Sequence, residues 1–276
     1  MLPNFLIIGS QKAGTTSLYH VLKQHPEIYM SDTKEINFFF HESLFAKGIH
    51  FYETFFKDIP SDKRAYGEAS PGYICHPEAP IRIKNHLPNA KLILTVRNPI
   101  KRAYSQYWDN RTGLSETKMF EETIDLHMDD SYVPGKIGYF SRGVYVKHIR
   151  SYLRYFNPEQ MIVMLFEDLL QDPFEFYRKI FQFLNVSPQF EIDDMSRPYN
   201  PASIWINPFY SFFFTKPLYQ KYLHRKLRRF LFWGERVSYK YPDMSGQARK
   251  TLNEFYKPWN KELSEYLGRD LSIWKN

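Results

Sequence analysis

The side chains with the clearest capacity for chemistry are Lys12, Glu35, Arg97 and Ser105. Lys12 lies in Gly9-Ser-Gln-Lys-Ala-Gly-Thr-Thr16, a glycine-bounded loop whose backbone N–H groups can face an anion. A nucleotide triphosphatase loop has its lysine after the second glycine, as G-x-x-x-x-G-K-[ST]. Here Lys12 comes before Gly14 and sits within the loop itself. Arg97 follows the apolar run Leu92 to Val96, and Ser105 stands two turns into the helix that Asn98-Pro99 begins. Such a pair can grip a second phosphate, because ligands of open α/β sheets bind beyond the carboxyl ends of strands. Glu35 is the carboxylate of the polar loop Ser31 to Phe40, anchored by three consecutive phenylalanines. Each has a plainer reading when taken alone: a surface lysine, a solvated loop glutamate, an arginine paired with a structural carboxylate and a surface serine.

The elements that must hold these residues can be read from pattern. Phe5 to Ile8 suits a fully buried strand, and Gly9 turns the chain. Gly14, Thr15 and Thr16 open a helix to about Gln24, with Leu18, Val21 and Leu22 on one face and its positive end toward the loop. Ile28 to Met30 reads as a short strand, Tyr66 to Ala69 as a strand end, and Pro77 to His86 as a helix. Asn98 is a helix cap with Pro99 at the first helical position. Arg102, Ser105 and Trp108 recur every third position and should lie near one another. Met119 to Met128 reads as a surface helix and Gly138 to Phe156 as one long aromatic helix. Met161 to Phe166 is a further buried strand, followed by Glu167-Asp168 and a helix from Pro173 to about Leu184. Strands and helices alternating in this way indicate a parallel sheet covered on both faces.

From Arg197 onward aromatic and basic residues dominate, broken by Pro198, Pro201, Pro208 and Pro217. Tyr219 to Phe232 has the pattern of a basic amphipathic helix, compatible with docking on the domain or with peripheral membrane contact through 212–233. Ser245 to Leu267 is a regular helix capped by Gly268, after which Leu271 to Trp274 should pack back. One domain over 1–276, with an excursion at about 200–236, is the simplest organisation for 276 residues.

Composition narrows the classes. Hydrophobic residues make up 43% and charged residues 24%, as in a globular chain. Aromatic residues reach 18%, which favours a core and a cleft rich in rings. A net charge of +7 and a pI near 9.2 suggest an anionic ligand, an acidic substrate or a membrane surface. No nucleic-acid partner follows from charge alone. Cys75 is the single cysteine, so an intrachain disulfide and a cysteine zinc cluster are excluded. With no evident leader or spanning segment, a reducing, cytoplasmic setting is expected.

Several segments stand in a fixed order and spacing: Gly9 to Ser17, Lys34-Glu-Ile-Asn-Phe-Phe39, Gly67-Glu-Ala-Ser-Pro71 and Arg97-Asn-Pro-Ile-Lys-Arg-Ala-Tyr-Ser105. Gly143-Val-Tyr-Val-Lys-His-Ile149, Phe166-Glu-Asp-Leu169 and Tyr266 to Trp274 follow them. Taken together they resemble a sulfotransferase that uses 3′-phosphoadenosine 5′-phosphosulfate, in the branch of the heparan sulfate enzymes and their bacterial relatives.

The resemblance implies a three-layer α/β/α fold with a P-loop-like 5′-phosphosulfate-binding loop. It implies that Lys12, Ala13, Gly14, Thr15, Thr16 and Ser17 hold the 5′-phosphosulfate, and that Arg97 and Ser105 hold the 3′-phosphate. Lys12 would stabilise charge on the bridging oxygen. Glu35 matches the family's base in E-x-x-F-F and would take the acceptor's proton. Glu68, His20 and His25 are the rival bases. No metal is required, and the other product is 3′,5′-adenosine bisphosphate.

Ala69 and Asn37 depart from the lysine and histidine found in some heparan sulfate enzymes, and the missing lysine weakens a polyanionic glycan acceptor. Arg236 or Lys240 is the candidate for a blurred basic loop near the donor. The acceptor hydroxyl or amine belongs to a small natural product, lipid or carbohydrate. The alternative is a P-loop small-molecule kinase, which needs an acidic magnesium ligand where Leu92 to Val96 ends in Arg97. A non-catalytic phosphonucleotide-binding or membrane-surface module is a further reading.

Overall fold

The computed structural model describes residues 1–113, 115–135, 138–190, 203–206, 235–238 and 241–274. Five parallel strands form the central sheet: β1 (Phe5–Gly9), β2 (Ile28–Met30), β3 (Ala65–Ala69), β4 (Lys91–Val96) and β5 (Met161–Leu165). Their order is β2-β3-β1-β4-β5, so β1 is central and the loop that follows it is flanked by the ends of β3 and β4. All five β1 residues are buried. This is why its sequence is a continuous apolar run rather than an alternating one.

Helices cover both faces. Phe5, Ile7 and Ile93 face α1 (Thr15–Gln24) and α9 (Pro173–Leu184), through Leu18, Val21, Tyr177 and Ile180. Leu6, Ile8, Leu92 and Leu94 face the other way, against Tyr52, Tyr73, Ile83 and Ile149. These come from α3 (Ile49–Glu53), the turn after β3, α4 (Ala79–His86) and α7 (Tyr145–Leu153). A third cluster joins α5 (Pro99–Thr112), α6 (Phe120–His127) and the terminal helix Gly246–Leu267 through Tyr107, Phe120, Leu252 and Tyr256. Among the described residues there are also two short helices, α2 (Glu42–Phe45) and α8 (Phe166–Gln171).

The expected caps are present. Asn98 Oδ1 accepts from the Ile100 and Lys101 N–H groups at 3.0 and 3.1 Å. Its amide Nδ2 donates to the Trp274 carbonyl at 2.8 Å, which ties the tail anchored by the buried Leu271 and Trp274 side chains to the start of α5.

Some expectations are corrected. The segment Gly138 to Phe156 is not one helix: a 3-10 turn at Ser141–Gly143 precedes α7. Gly143 packs so closely that a Cβ there would lie 2.8 Å from Tyr256 Oη and 2.9 Å from Pro99 Cβ. That close approach spaces the turn from the helix proper. The helix expected from Pro77 begins at Ala79. Phe166 leaves the strand and opens α8.

At the two ends of the 200–236 excursion, Ser203–Ile206 (β6) pairs antiparallel with Glu235–Ser238 (β7). The helix expected over Tyr219 to Phe232 and the membrane segment 212–233 lie outside the described residues. Among the described residues no helix is long and apolar enough to cross a membrane.

Candidate active site

Three neighbouring strands deliver the candidate residues to one edge. β1 ends in the loop carrying Lys12, β4 ends at Arg97, and the loop after β2 runs along the end of β3. There Ser31 N–H donates to Gly67 C=O and Glu35 N–H to Ala69 C=O, both at 2.9 Å. The loop, Arg97 and Glu35 therefore share the carboxyl edge of the sheet, where parallel strands leave room for a ligand.

The loop is held from below. Ser10 donates to the Thr95 carbonyl through its N–H at 2.8 Å and its hydroxyl at 2.9 Å. Gly14 is the cap residue of α1, with φ 84, a left-handed conformation suited to glycine. With no side chain at Gly14 to close the first turn, α1 presents the N–H groups of Thr15 and Thr16 to the loop. Ala13 and Thr15 are buried, whereas Gly14, Thr16 and Ser17 are half-buried.

Arg97 closes the second side. Its Nη1 donates to the Lys12 carbonyl at 3.1 Å, and its guanidinium lies over Phe166, 4.9 Å from the ring centroid. Burial lowers its pKa, with Glu167 opposing. No carboxylate lies within ion-pair distance of Arg97 among the described residues, so the structural-pair reading does not hold here. A desolvated guanidinium with donors to spare fits a phosphate. Ser105, on α5, hydrogen-bonds Tyr241, on which the Arg97 charge also acts and whose ring stacks on Trp108 with centroids 5.7 Å apart.

Arg102 does not join them. It is fully buried and donates to Gln106 Oε1 at 2.8 Å and to the Tyr139 carbonyl. A three-residue step falls about 60° short of a full turn, so Arg102 and Trp108 drift to different sides of α5.

Lys12 has φ 69, and its ammonium lies 3.2 Å from Asp109 Oδ1, one turn beyond Ser105. Glu35 has φ 60 and pairs with Lys34 at 2.6 Å. His25 is excluded as a base: its Nδ1 accepts from Glu27 N–H at 3.1 Å and its Nε2 bonds the Ser187 carbonyl at 3.0 Å. His20, on α1, has its pKa lowered by burial and then by Lys34 and Lys23. Glu68 is fully buried and cannot touch an acceptor. Arg236 lies on β7, in register with Trp205, and Lys240 is outside the described residues.

Sequence reading missed Arg142, in the 3-10 turn before α7. Its Nη1 donates to Gln11 Oε1 at 2.9 Å, and its guanidinium covers Tyr132 at 4.9 Å. Because arginine only donates, the bond fixes which end of the Gln11 amide faces it. The Arg142 Nε is buried without a partner among the described residues. The available signal was an arginine beside a glycine just before an apolar helix face. Together Lys12, Arg97 and Arg142 make a cationic rim around the loop, suited to a ligand carrying more than one anionic group.

Comparisons with known proteins agree with this geometry. Residues 2–199 match the sulfotransferase domain family. The chain is similar to the mouse bifunctional heparan sulfate N-deacetylase/N-sulfotransferase 4, 29% identical over 99% of this chain but only 31% of that protein's length. It is similar to the mouse heparan sulfate glucosamine 3-O-sulfotransferase 5, 27% identical over 98% of this chain and 74% of the relative. A solved sulfotransferase from Alicyclobacillus acidocaldarius superposes over 100% of both chains with TM-score 0.74 and 28% identity. The chain belongs to the sulfotransferase domain family.

Proposed function

We infer that this chain transfers a sulfuryl group from 3′-phosphoadenosine 5′-phosphosulfate to a hydroxyl or amine. The observation that carries the reading is the shared edge: an anion-binding loop, a desolvated arginine and a loop carboxylate at the carboxyl ends of three adjacent strands. The kinase alternative wants an acidic magnesium ligand where β4 instead delivers Arg97.

Each residue has a task in this chemistry. The Gly14 to Ser17 helix start and the loop N–H groups bind the 5′-phosphate. Arg97 and Ser105 bind the 3′-phosphate, with Arg97 also fixing the loop through the Lys12 carbonyl. Lys12 leaves Asp109 and neutralises charge on the bridging oxygen as the S–O bond breaks, which favours the transition state over the ground state. Glu35 accepts the proton of the attacking hydroxyl or amine. None of these steps calls on a metal.

The acceptor belongs to a small natural product, lipid or carbohydrate. Carbohydrate amines and hydroxyls come first for screening, because the mouse relatives act on heparan sulfate by name. A single buried cysteine, Cys75, fits a cytoplasmic setting.

Transfer of labelled sulfuryl from the donor to a panel of amino sugars, glycolipids and phenols tests the reading. Lys12→Ala and Glu35→Ala should each lower turnover by roughly 100-fold or more. Full activity in both variants would remove their assigned roles and favour a non-catalytic binding module.

A further inference from the structure

Glu68 sits at the carboxyl end of β3, behind the loop that carries Glu35. It is fully buried, and three hydroxyl groups surround it. Tyr52 and Tyr73 donate to its Oε1 at 3.2 and 2.8 Å, and Ser70 donates to its Oε2 at 2.6 Å. In its ionised form the carboxylate only accepts, so each O–H is then turned toward Glu68.

That orientation leaves hydroxyl lone pairs for the loop backbone. Asn37 N–H donates to Ser70 Oγ at 2.9 Å, and Phe39 N–H donates to Tyr73 Oη at 3.4 Å. These two amides follow Glu35 by two and four positions. The backbone they hold is strained, with φ 60 at Glu35 and 54 at Asn37, and the Asn37 amide closes on the Glu35 carbonyl at 2.9 Å. A glutamate in this region costs about 1–2 kcal/mol, an asparagine less, and such a conformation persists where the surroundings over-determine it.

We propose that Glu68 is the positioning residue of the base: by orienting the Ser70 and Tyr73 hydroxyls, it fixes the strained loop that presents Glu35. The proposal rests on Glu35 being the base. Removing the carboxylate charge changes the network without emptying the space. A glutamine can accept at only one end, so one hydroxyl must turn or lose its acceptor, and the loop loses a fixed partner.

The test is transfer to water, which needs no identified acceptor. The donor's bridging S–O bond breaks, a water oxygen bonds to sulfur, and the water proton passes to Glu35, releasing sulfate and 3′,5′-adenosine bisphosphate. Single-turnover sulfate release and bisphosphate affinity are measured for the wild type, Glu35→Gln, Glu68→Gln, Ser70→Ala and Ser70→Thr. Glu68→Gln and Ser70→Ala should slow release roughly 10- to 100-fold, the scale of misplacing a reacting group by about 1 Å. Bisphosphate affinity should stay within about twofold of the wild type, and Ser70→Thr, which keeps a hydroxyl, should recover most of the rate.

If Glu68→Gln does not fold, Ser70→Ala decides, since it keeps the Tyr52 and Tyr73 bonds. Unchanged release in Glu68→Gln and Ser70→Ala beside a slow Glu35→Gln overturns the proposal and leaves the base intact. Joint loss of rate and bisphosphate binding overturns it in favour of a purely structural role. Unslowed release in Glu35→Gln overturns the base assignment and this proposal with it.

Discussion

Lys12 Nζ lies 3.2 Å from Asp109 Oδ1, so the loop lysine is held on the α5 face that also carries Ser105. The pair joins a largely covered ammonium to a half-exposed carboxylate, with side-chain exposures of 16% and 53%. Such pairs contribute about 0.2–1 kcal/mol after screening. In the proposed mechanism donor binding breaks it. Asp109→Asn should therefore tighten 3′,5′-adenosine bisphosphate by up to about fivefold at low salt, with less gain at high salt. Weaker binding in a titration would show that Asp109 helps to organise the donor site rather than competing for Lys12.

Arg97 joins three tasks: its charge, its bond to the Lys12 carbonyl and its stacking on Phe166. Arg97→Ala should weaken the 3′,5′-bisphosphate by roughly 10- to 150-fold, the scale of charged hydrogen bonds. Binding of 5′-AMP should fall much less. Arg97→Lys should recover little, because an ammonium lacks the planar fork that reaches a phosphate and a carbonyl together. Equal losses for both nucleotides would place Arg97 away from the 3′-phosphate.

Gly14 combines a left-handed φ of 84 with a neighbour that leaves no room for a methyl group. A Cβ there would lie 2.8 Å from the Phe166 ring. Gly14→Ala should cost about 2–4 kcal/mol from backbone strain and overpacking, read as a lower midpoint in urea. Gly14→Ala with Phe166→Leu should recover the packing part alone, and an undisturbed midpoint in the single variant would contradict the close approach.

Glu68 makes stability depend on pH with a defined sign. Burial pushes its carboxyl up to about 7, while the Ser70, Tyr73 and Tyr52 hydroxyls pull it back and the Glu35 charge adds to the rise. The folded state therefore holds a proton that the unfolded chain has released above its ordinary value near 4.5. This contribution is full below that value and is lost as pH rises through about 7. Relative to Glu68→Gln, the wild type should lose about 3 kcal/mol of unfolding free energy between pH 4.5 and 8. A gap that is flat or grows with pH would contradict the assignment. The ionised form that orients the loop hydroxyls is thus the less stable one, as often found where a site stores strain.

What was legible in sequence was local. The apolar run Phe5 to Ile8, the glycines around Lys12, and Asn98-Pro99 each encode a short piece of backbone whose geometry their own side chains impose. The family order then brought Glu35, Arg97 and the loop to one site, and the strand order puts them on one edge. Contacts between distant segments were not legible. Arg142 meets Gln11 across 131 positions, and nothing near either residue announces the other. Tyr52 reaches Glu68 because α3 packs against the end of β3. The long helix expected from Gly138 failed for the same reason: the close packing of Gly143 on Pro99 and Tyr256 is tertiary. The three-residue spacing of Arg102, Ser105 and Trp108 overstated their proximity, since each step loses part of a turn.

The donor site is tested most directly by calorimetric titration of the purified chain with 3′,5′-adenosine bisphosphate, beside 5′-AMP and ATP with magnesium. Tight bisphosphate binding that persists in a chelator and is lost in Arg97→Ala is the expected result. Preference for magnesium-ATP, with the bisphosphate bound no better than 5′-AMP, would contradict a sulfuryl donor site on this edge of the sheet and point instead to phosphoryl transfer.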